Sequence, residues 1–170
     1  MACLPLKQKD KVDDGYNTPH HCFEDIIDFI PNREKLVVYE PFILNNKYST
    51  SKASLLSMGF KKVIGETTYD FFEMYNKLDY DIIISNPPFS IKQKIFKLLK
   101  QIDKTFILIV PVSIITKKYF MDNFKDDFQI IIPRKRIQFI KDDVQLKRCW
   151  FDCCFIAYKM NLEKDITFIS

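Results

Sequence analysis

Four consecutive residues, Asn86-Pro87-Pro88-Phe89, break the clearest central β-like run of the chain, Tyr80-Asp81-Ile82-Ile83-Ile84-Ser85. An asparagine at the end of a buried strand offers a hydrogen-bonding amide, two successive prolines fix the backbone that presents it, and the phenylalanine adds an apolar ring. A second polar group occupies the same kind of place. The run Leu36-Val37-Val38-Tyr39 ends on Glu40-Pro41, where proline stops ladder pairing at its own nitrogen. Ligands of open α/β sheets bind beyond the carboxyl ends of the strands, so a carboxylate and an amide at two such ends predict a shared crevice. Metal and disulfide chemistry are poorly served. His20 and His21 are adjacent, point about 100° apart on a helix, and have no cysteine or carboxylate at a ligand spacing, so no metal is expected. Cys3, Cys22, Cys149, Cys153 and Cys154 are odd in number with no C-x-x-C pair, and read as core thiols in reducing surroundings.

The elements that must position these groups follow from periodicity. The 170 residues, 47% apolar, 28% charged and 15% aromatic, suit one compact domain. The expected organisation is a flexible tail over 1–15 and a single domain over 16–170. Thr18-Pro19 reads as an N-cap followed by proline in the first turn, and Phe23, Ile26, Ile27 and Ile30 then recur at helical spacing. A helix through Leu55, Leu56 and Met58 closes on Gly59, a short strand covers Lys62 to Gly65, and a turn or two of helix falls within Asp70 to Leu78. Ile91, Ile95, Leu98, Leu99 and Ile102 mark one apolar helix face. Thr105 to Ile115 is a buried strand, and Phe128 to Ile132, Arg136 to Ile140 and Cys149 to Met160 are strand-like. This alternation predicts an α/β fold: a mostly parallel sheet between helices, with an antiparallel C-terminal edge. The three glycines, Gly15, Gly59 and Gly65, have neither P-loop nor dinucleotide-fingerprint spacing, which argues against nucleotide kinases, GTPases and ordinary nicotinamide dehydrogenases. No apolar run approaches the ~20 residues of a membrane span and Met1 to Asp14 lacks an apolar signal core, so no membrane association and an intracellular location are expected.

The segment from Ile82 to Ser90 resembles the class I S-adenosylmethionine-dependent methyltransferases that act on exocyclic amino nitrogens, above all the N6-adenine methyltransferases. Their catalytic motif is Asp, Asn or Ser, then Pro-Pro, then an aromatic residue. Further segments resemble that family in its own order. Tyr16-Asn17-Thr18-Pro19 is similar to its T-P segment, Tyr39-Glu40-Pro41-Phe42 to its first-strand E-P-F, Asp70-Phe71-Phe72 to its D-F-F, and Arg136-Ile137-Gln138-Phe139 to its R-I-x-F. The resemblance covers Tyr16 to Met160. It implies a Rossmann-like methyltransferase sheet, reduced in size, and S-adenosylmethionine as cofactor. Tyr16, Thr18, Pro19, Glu40, Pro41, Phe42, Asp70 and Phe71 are the cofactor-side residues it implies, and Asn86, Pro87, Pro88 and Phe89 the catalytic ones. In the family reading the Asn86 side-chain oxygen and the Pro87 carbonyl accept the two N–H bonds of the amine. Phe89 stacks on a base taken out of any duplex. The same tetrapeptide also occurs in enzymes that methylate guanine N2 or a protein glutamine amide, and taken alone it is equally a strand-to-loop turn.

The family's glycine-rich first loop is replaced here by Glu40-Pro41-Phe42-Ile43-Leu44-Asn45-Asn46-Lys47. Asn45 and Asn46 tolerate left-handed dihedrals, whereas Ile43 and Leu44 add bulk where glycines would leave room. Only a short stretch separates the second strand from the catalytic one, so the family's third strand must be vestigial or absent. Glu66, Asp70 and Phe71 are the substitutes at hand, each with a bland alternative as surface charge, N-cap and core residue. Arg134, Lys135, Arg136, Lys141, Lys147 and Arg148 crowd together with only Asp142 and Asp143 opposing them. That stripe reads either as a track for nucleic-acid phosphates, DNA or RNA, or as a solvated rim around a hairpin. Trp150, Phe151 and Phe155 are likewise either a stacking surface or core. With no separate recognition domain, the resemblance points to short single-stranded or structured substrates or a partner subunit for target recognition. The rival expectation is an inactive methyltransferase-fold protein that binds nucleic acid or serves as a structural subunit. An open cleft beside Asn86 favours the first reading, and Ile43 or Leu44 filling it favours the second.

Overall fold

The computed structural model describes residues 14–44, 50–142, 144–147 and 151–169. Seven strands form one sheet in the order β2-β1-β3-β4-β8-β5-β9. They are β1 (Val37–Tyr39), β2 (Lys62–Ile64), β3 (Ile82–Ser85), β4 (Thr105–Pro111), β5 (Phe128–Ile132), β8 (Cys153–Tyr158) and β9 (Ile166–Phe168). All neighbours run parallel except β8, which is antiparallel to both β4 and β5. The fold is thus the expected Rossmann-like, mostly parallel α/β sheet. The antiparallel strand inserts between β4 and β5, and the outermost strand at that end, β9, is parallel to β5.

Burial on both faces explains the continuous apolar runs. In β3, Ile82 and Ile84 face one core while Ile83 faces the other, and β4 alternates likewise, Ile107 and Ile109 against Phe106, Leu108 and Val110. The first core receives Cys22, Phe23 and Ile26 from α1 (His20–Ile27) and Leu55 from α2 (Thr50–Ser57). The second receives Phe71 from α3 (Phe71–Met74), Ile95, Phe96, Leu98 and Leu99 from α4 (Lys92–Ile102), and Phe120 and Phe124 from α5 (Lys118–Phe124). Cys22, Cys153 and Cys154 are buried thiols, and burial pushes Cys22 and Cys154 up to about 12. Cys3 and Cys149 lie outside the described residues.

Several boundaries differ from the periodicity. α1 begins one residue later than expected, with Pro19 at its N-cap position and Thr18 buried just before it. Of Arg136 to Ile140 only Ile140 joins a strand, β6 (Ile140–Lys141), which forms a small hairpin with β7 (Val144–Gln145). The aromatic C-terminal strand starts at Cys153, not Cys149. Residues 65–81 hold α3 and turns but no strand, so β2 is an outer edge of the sheet, as the short spacing implies. Among the described residues no helix is long and apolar enough to cross a membrane. Of the expected tail, 1–13 lie outside the described residues.

Candidate active site

β1 and β3 are adjacent and parallel, with Tyr39 opposite Ile83, so the residues that follow each strand emerge side by side. Glu40 and Asn86 therefore meet at one end of the sheet, as their strand-end positions require. The Ser85 hydroxyl donates to Glu40 Oε1, and so does the Phe42 amide at 3.0 Å. Glu40 is only 1% exposed. Burial pushes its carboxyl up to about 7, against the opposing pull of hydrogen bonds from Ser85, the Phe42 amide and Ser51. Close approach shapes this corner as well. A Cβ on Gly65 would stand 2.2 Å from the Glu40 carbonyl oxygen and 2.8 Å from Ile43 Cδ1, so the chain leaving β2 passes Glu40 only because position 65 is glycine.

Asn86 has one satisfied end and one unsatisfied end. Its Nδ2 donates to the Tyr16 carbonyl at 3.1 Å, whereas its Oδ1 is buried with no hydrogen-bond partner. A buried acceptor left unpaired costs about 1–3 kcal/mol, and such atoms in native proteins call for an explanation. Beside it stands a ring cluster. Phe89 meets Phe151 edge to face at 5.2 Å, and Tyr16 packs on Phe139 at 5.9 Å and on Phe151 at 6.1 Å. Phe89 is 9% exposed, so its ring is held largely within this cluster. Asn17 pairs both backbone groups with Ile140, at 2.8 and 2.9 Å, which fixes the Tyr16 segment on the β6–β7 hairpin.

A cleft of about 210 Å³ opens between Tyr16, Phe42, Ile43, Leu44, Asn86 and Pro88. A narrow extension reaches Thr18, Glu40 and Ser51. Ile43 and Leu44 form wall without closing the cleft, although its volume falls below the ~300–1,000 Å³ usual for ligand sites. Asn45, Asn46 and Lys47 lie outside the described residues. A larger cavity of about 710 Å³ lies at the opposite end of the sheet, around Lys100, Asp103, Asp127 and Lys159. Both of its lysines already pair, Lys100 with Asp127 at 2.9 Å and Lys159 with Asp103 at 2.6 Å, and it contains none of the strand-end groups.

The remaining expected residues are distributed as follows. Tyr16, Thr18, Glu40, Pro41 and Phe42 line the cleft or its extension, together with Asn86, whereas Pro87 and Phe89 border a small adjoining recess. Asp70 caps α3 by accepting from the Phe72 amide at 2.7 Å, and Phe71 is 3% exposed against Phe42 and Tyr39. Neither is among the residues that line the cleft, although Phe71 backs its Phe42 wall. Glu66 is exposed and pairs with Lys52 at 2.8 Å. Arg134, Lys135 and Lys147 are exposed, Arg136 pairs with Asp152 at 2.7 Å, and Arg148 lies outside the described residues. Arg134 and Lys135 border a separate depression of about 360 Å³ shared with His21, Glu24 and Asp25. His20 donates to or accepts from Ser54 at 2.9 Å, tying α1 to α2.

Four groups of the site carry no signal that periodicity reads: Ser85, Ser51, Gly65 and Asp14, the last lining the cleft and accepting from the Phe89 amide at 2.7 Å. Each acts through a partner distant in sequence, and only the rarity of glycine could have drawn notice to Gly65.

The chain matches no protein-family model and no curated protein sequence. Among solved structures it is similar to a precorrin-6y C5,15-methyltransferase from Geobacter metallireducens GS-15, with TM-score 0.50 and 10% identity over 88% of this chain and 98% of that one. It is also similar to TrmN from Thermus thermophilus, with TM-score 0.39 and 12% identity, covering 82% of this chain and 48% of that one. At such identity the first likeness speaks to the fold, a Rossmann-like sheet found in methyltransferases.

Proposed function

We propose that this protein is an S-adenosylmethionine-dependent methyltransferase that modifies the N6 amine of adenine in DNA or RNA. The observation that carries the reading is the buried, unpaired Oδ1 of Asn86, positioned at a strand end among aromatic rings and beside an open cleft. An exocyclic amine brings the missing donor. The amine is a weak nucleophile because its lone pair is delocalised into the ring, and an acceptor that draws on its N–H favours an attacking geometry. In this reading the Asn86 oxygen and the Pro87 carbonyl take the two N–H bonds. Tyr16 and Phe151, half-buried, give a flat base an apolar surface, with the buried Phe139 and Phe89 packed behind them.

The cleft residues fit the cofactor in kind. Glu40, Thr18 and Ser51 converge as polar groups, and Phe42 supplies an apolar wall. When bound, S-adenosylmethionine supplies the electrophilic methyl group. The amine held by Asn86 and Pro87 would take that methyl on its lone pair, with the C–S electron pair staying on sulfur and the N6 proton passing to water. No strong base is needed, because that proton becomes acidic once the methyl is attached. Catalysis then rests on positioning and a preorganised acceptor. The basic residues Arg134, Lys135 and Lys147, with Arg148, would contact substrate phosphates, and a partner subunit could add target recognition.

One observation favours the rival reading of an inactive nucleic-acid-binding or structural subunit, namely that Ile43 and Leu44 stand in the wall of a small cleft. Titration calorimetry with S-adenosylhomocysteine separates the two. One-to-one micromolar binding, followed by methyl transfer to adenine-containing oligonucleotides, supports the enzyme. No detectable heat and no thermal shift would overturn it in favour of the inactive reading.

A further inference from the structure

Asp14 stands far from the catalytic motif in sequence and touches it directly. Pro87 and Pro88 have no N–H, so the first backbone donors after Asn86 belong to Phe89 and Ser90. Both go to one atom. The Phe89 amide donates to Asp14 Oδ1 at 2.7 Å and the Ser90 amide to the same oxygen at 3.1 Å, while the Ser90 hydroxyl donates to Asp14 Oδ2. Hydrogen bonds to an ionised acceptor are roughly twice as strong as neutral ones, and three here converge on one carboxylate. Two residues later, the Tyr16 carbonyl accepts from Asn86 Nδ2. The segment 14–16 thus grips the motif on both sides of its prolines. That segment is itself held, by the paired hydrogen bonds of Asn17 to Ile140 and by the ring contacts of Tyr16.

We propose that Asp14 is a positioning residue, whose carboxylate fixes the Phe89–Ser90 end of the loop so that Asn86 presents its side-chain oxygen to the substrate amine. The inference rests on the functional reading above and deepens it. Without the Asp14 grip, only the packing of the Phe89 ring and the Asn86 contact to Tyr16 hold the loop that leaves β3. The Tyr16 carbonyl, as acceptor, fixes only the amide nitrogen. Both tethers are needed to hold the direction of the oxygen.

The test uses the full chain and the variants Asp14→Ala, Asp14→Asn and Ser90→Ala. Misplacing a catalytic group by about 1 Å costs on the order of 100-fold, so kcat at saturating cofactor on an adenine-containing oligonucleotide should fall ~30–100-fold in D14A. D14N keeps an oxygen for both amides, and Ser90 can turn from donor to acceptor, so the rate should return to within about 5-fold of wild type. S90A, which keeps both amide bonds, should lose only a few-fold. Amide hydrogen exchange gives the second readout. Phe89 and Ser90 should exchange at least ~10-fold faster in D14A while β4 and β8 stay protected. Unchanged exchange at those two amides overturns the proposal, as does a D14A kcat equal to wild type, or a D14N rate as low as that of D14A. A wild-type chain that methylates no adenine acceptor overturns the functional reading itself, an outcome distinct from an active wild type indifferent to Asp14.

Discussion

Replacing Asn86 by alanine should separate catalysis from stability, because the two ends of its amide pull in opposite directions. The Nδ2 bond to the Tyr16 carbonyl contributes about 0.5–1.5 kcal/mol, typical of a neutral hydrogen bond. The unpaired, buried Oδ1 costs about 1–3 kcal/mol, and that cost disappears with the side chain. The two nearly cancel, so the N86A variant should unfold within about 1 kcal/mol of wild type in urea. Activity has no such compensation. Loss of one preorganised polar partner costs about 100- to 1,000-fold in kcat. Single-turnover transfer at saturating cofactor, run beside urea melts of the same preparations, reads both numbers. A variant that keeps the wild-type transfer rate would refute the assignment. So would a loss of 3 kcal/mol or more, which would make Asn86 a structural turn residue whose oxygen is satisfied in solution.

Glu40 predicts a pH dependence of the opposite sense to an ordinary carboxylate. Its folded value of about 7 lies above the ordinary 4.5, so the native state holds the proton more tightly, and about 3 kcal/mol of stability present below pH 4.5 is lost as pH rises through 7. Urea melts from pH 5 to 8 should show that decline, and Glu40→Gln should flatten it; a slope unchanged in E40Q would remove Glu40 as its cause. The R134A/K135A double variant should make the plot of log K against log salt shallower by about 1.4–1.8 if both cations meet phosphates, and an unaltered slope would leave them as surface charges. Gly65→Ala drives a Cβ into the Glu40 carbonyl and should cost more than about 3 kcal/mol, or leave no folded protein to measure on a circular-dichroism melt; near-wild-type stability would contradict the close approach. Truncating the cleft wall, I43A with L44A, should tighten S-adenosylhomocysteine binding at least several-fold by calorimetry, and unchanged affinity would show that the wall does not limit entry.

The core was legible because it obeys local rules. Ile82, Ile83 and Ile84 are all buried since both faces of β3 are covered, and a three-residue apolar run is how such a strand reads. The meeting of Glu40 and Asn86 was legible for a related reason: parallel neighbours must deliver their next residues to the same end of the sheet. The insertion of β8 between β4 and β5 has no local signature, because its register, Leu108 opposite Ile156 and Ile130 opposite Ile156, is fixed by partners far apart in sequence. Strand β9 was equally silent: its Ile166 and Phe168 remain exposed, so no buried pattern marks it. What makes the site specific is of this second kind. Ser85 looks like any strand-end serine until its hydroxyl is seen to reach Glu40, and Asp14 looks like one acid in a charged stretch until its carboxylate is seen to hold two amides beyond Pro88. A motif can name the atom that does chemistry, because its neighbours in sequence shape the backbone that carries it. The atoms that aim it come from wherever the fold brings them, and only the fold reports where that is.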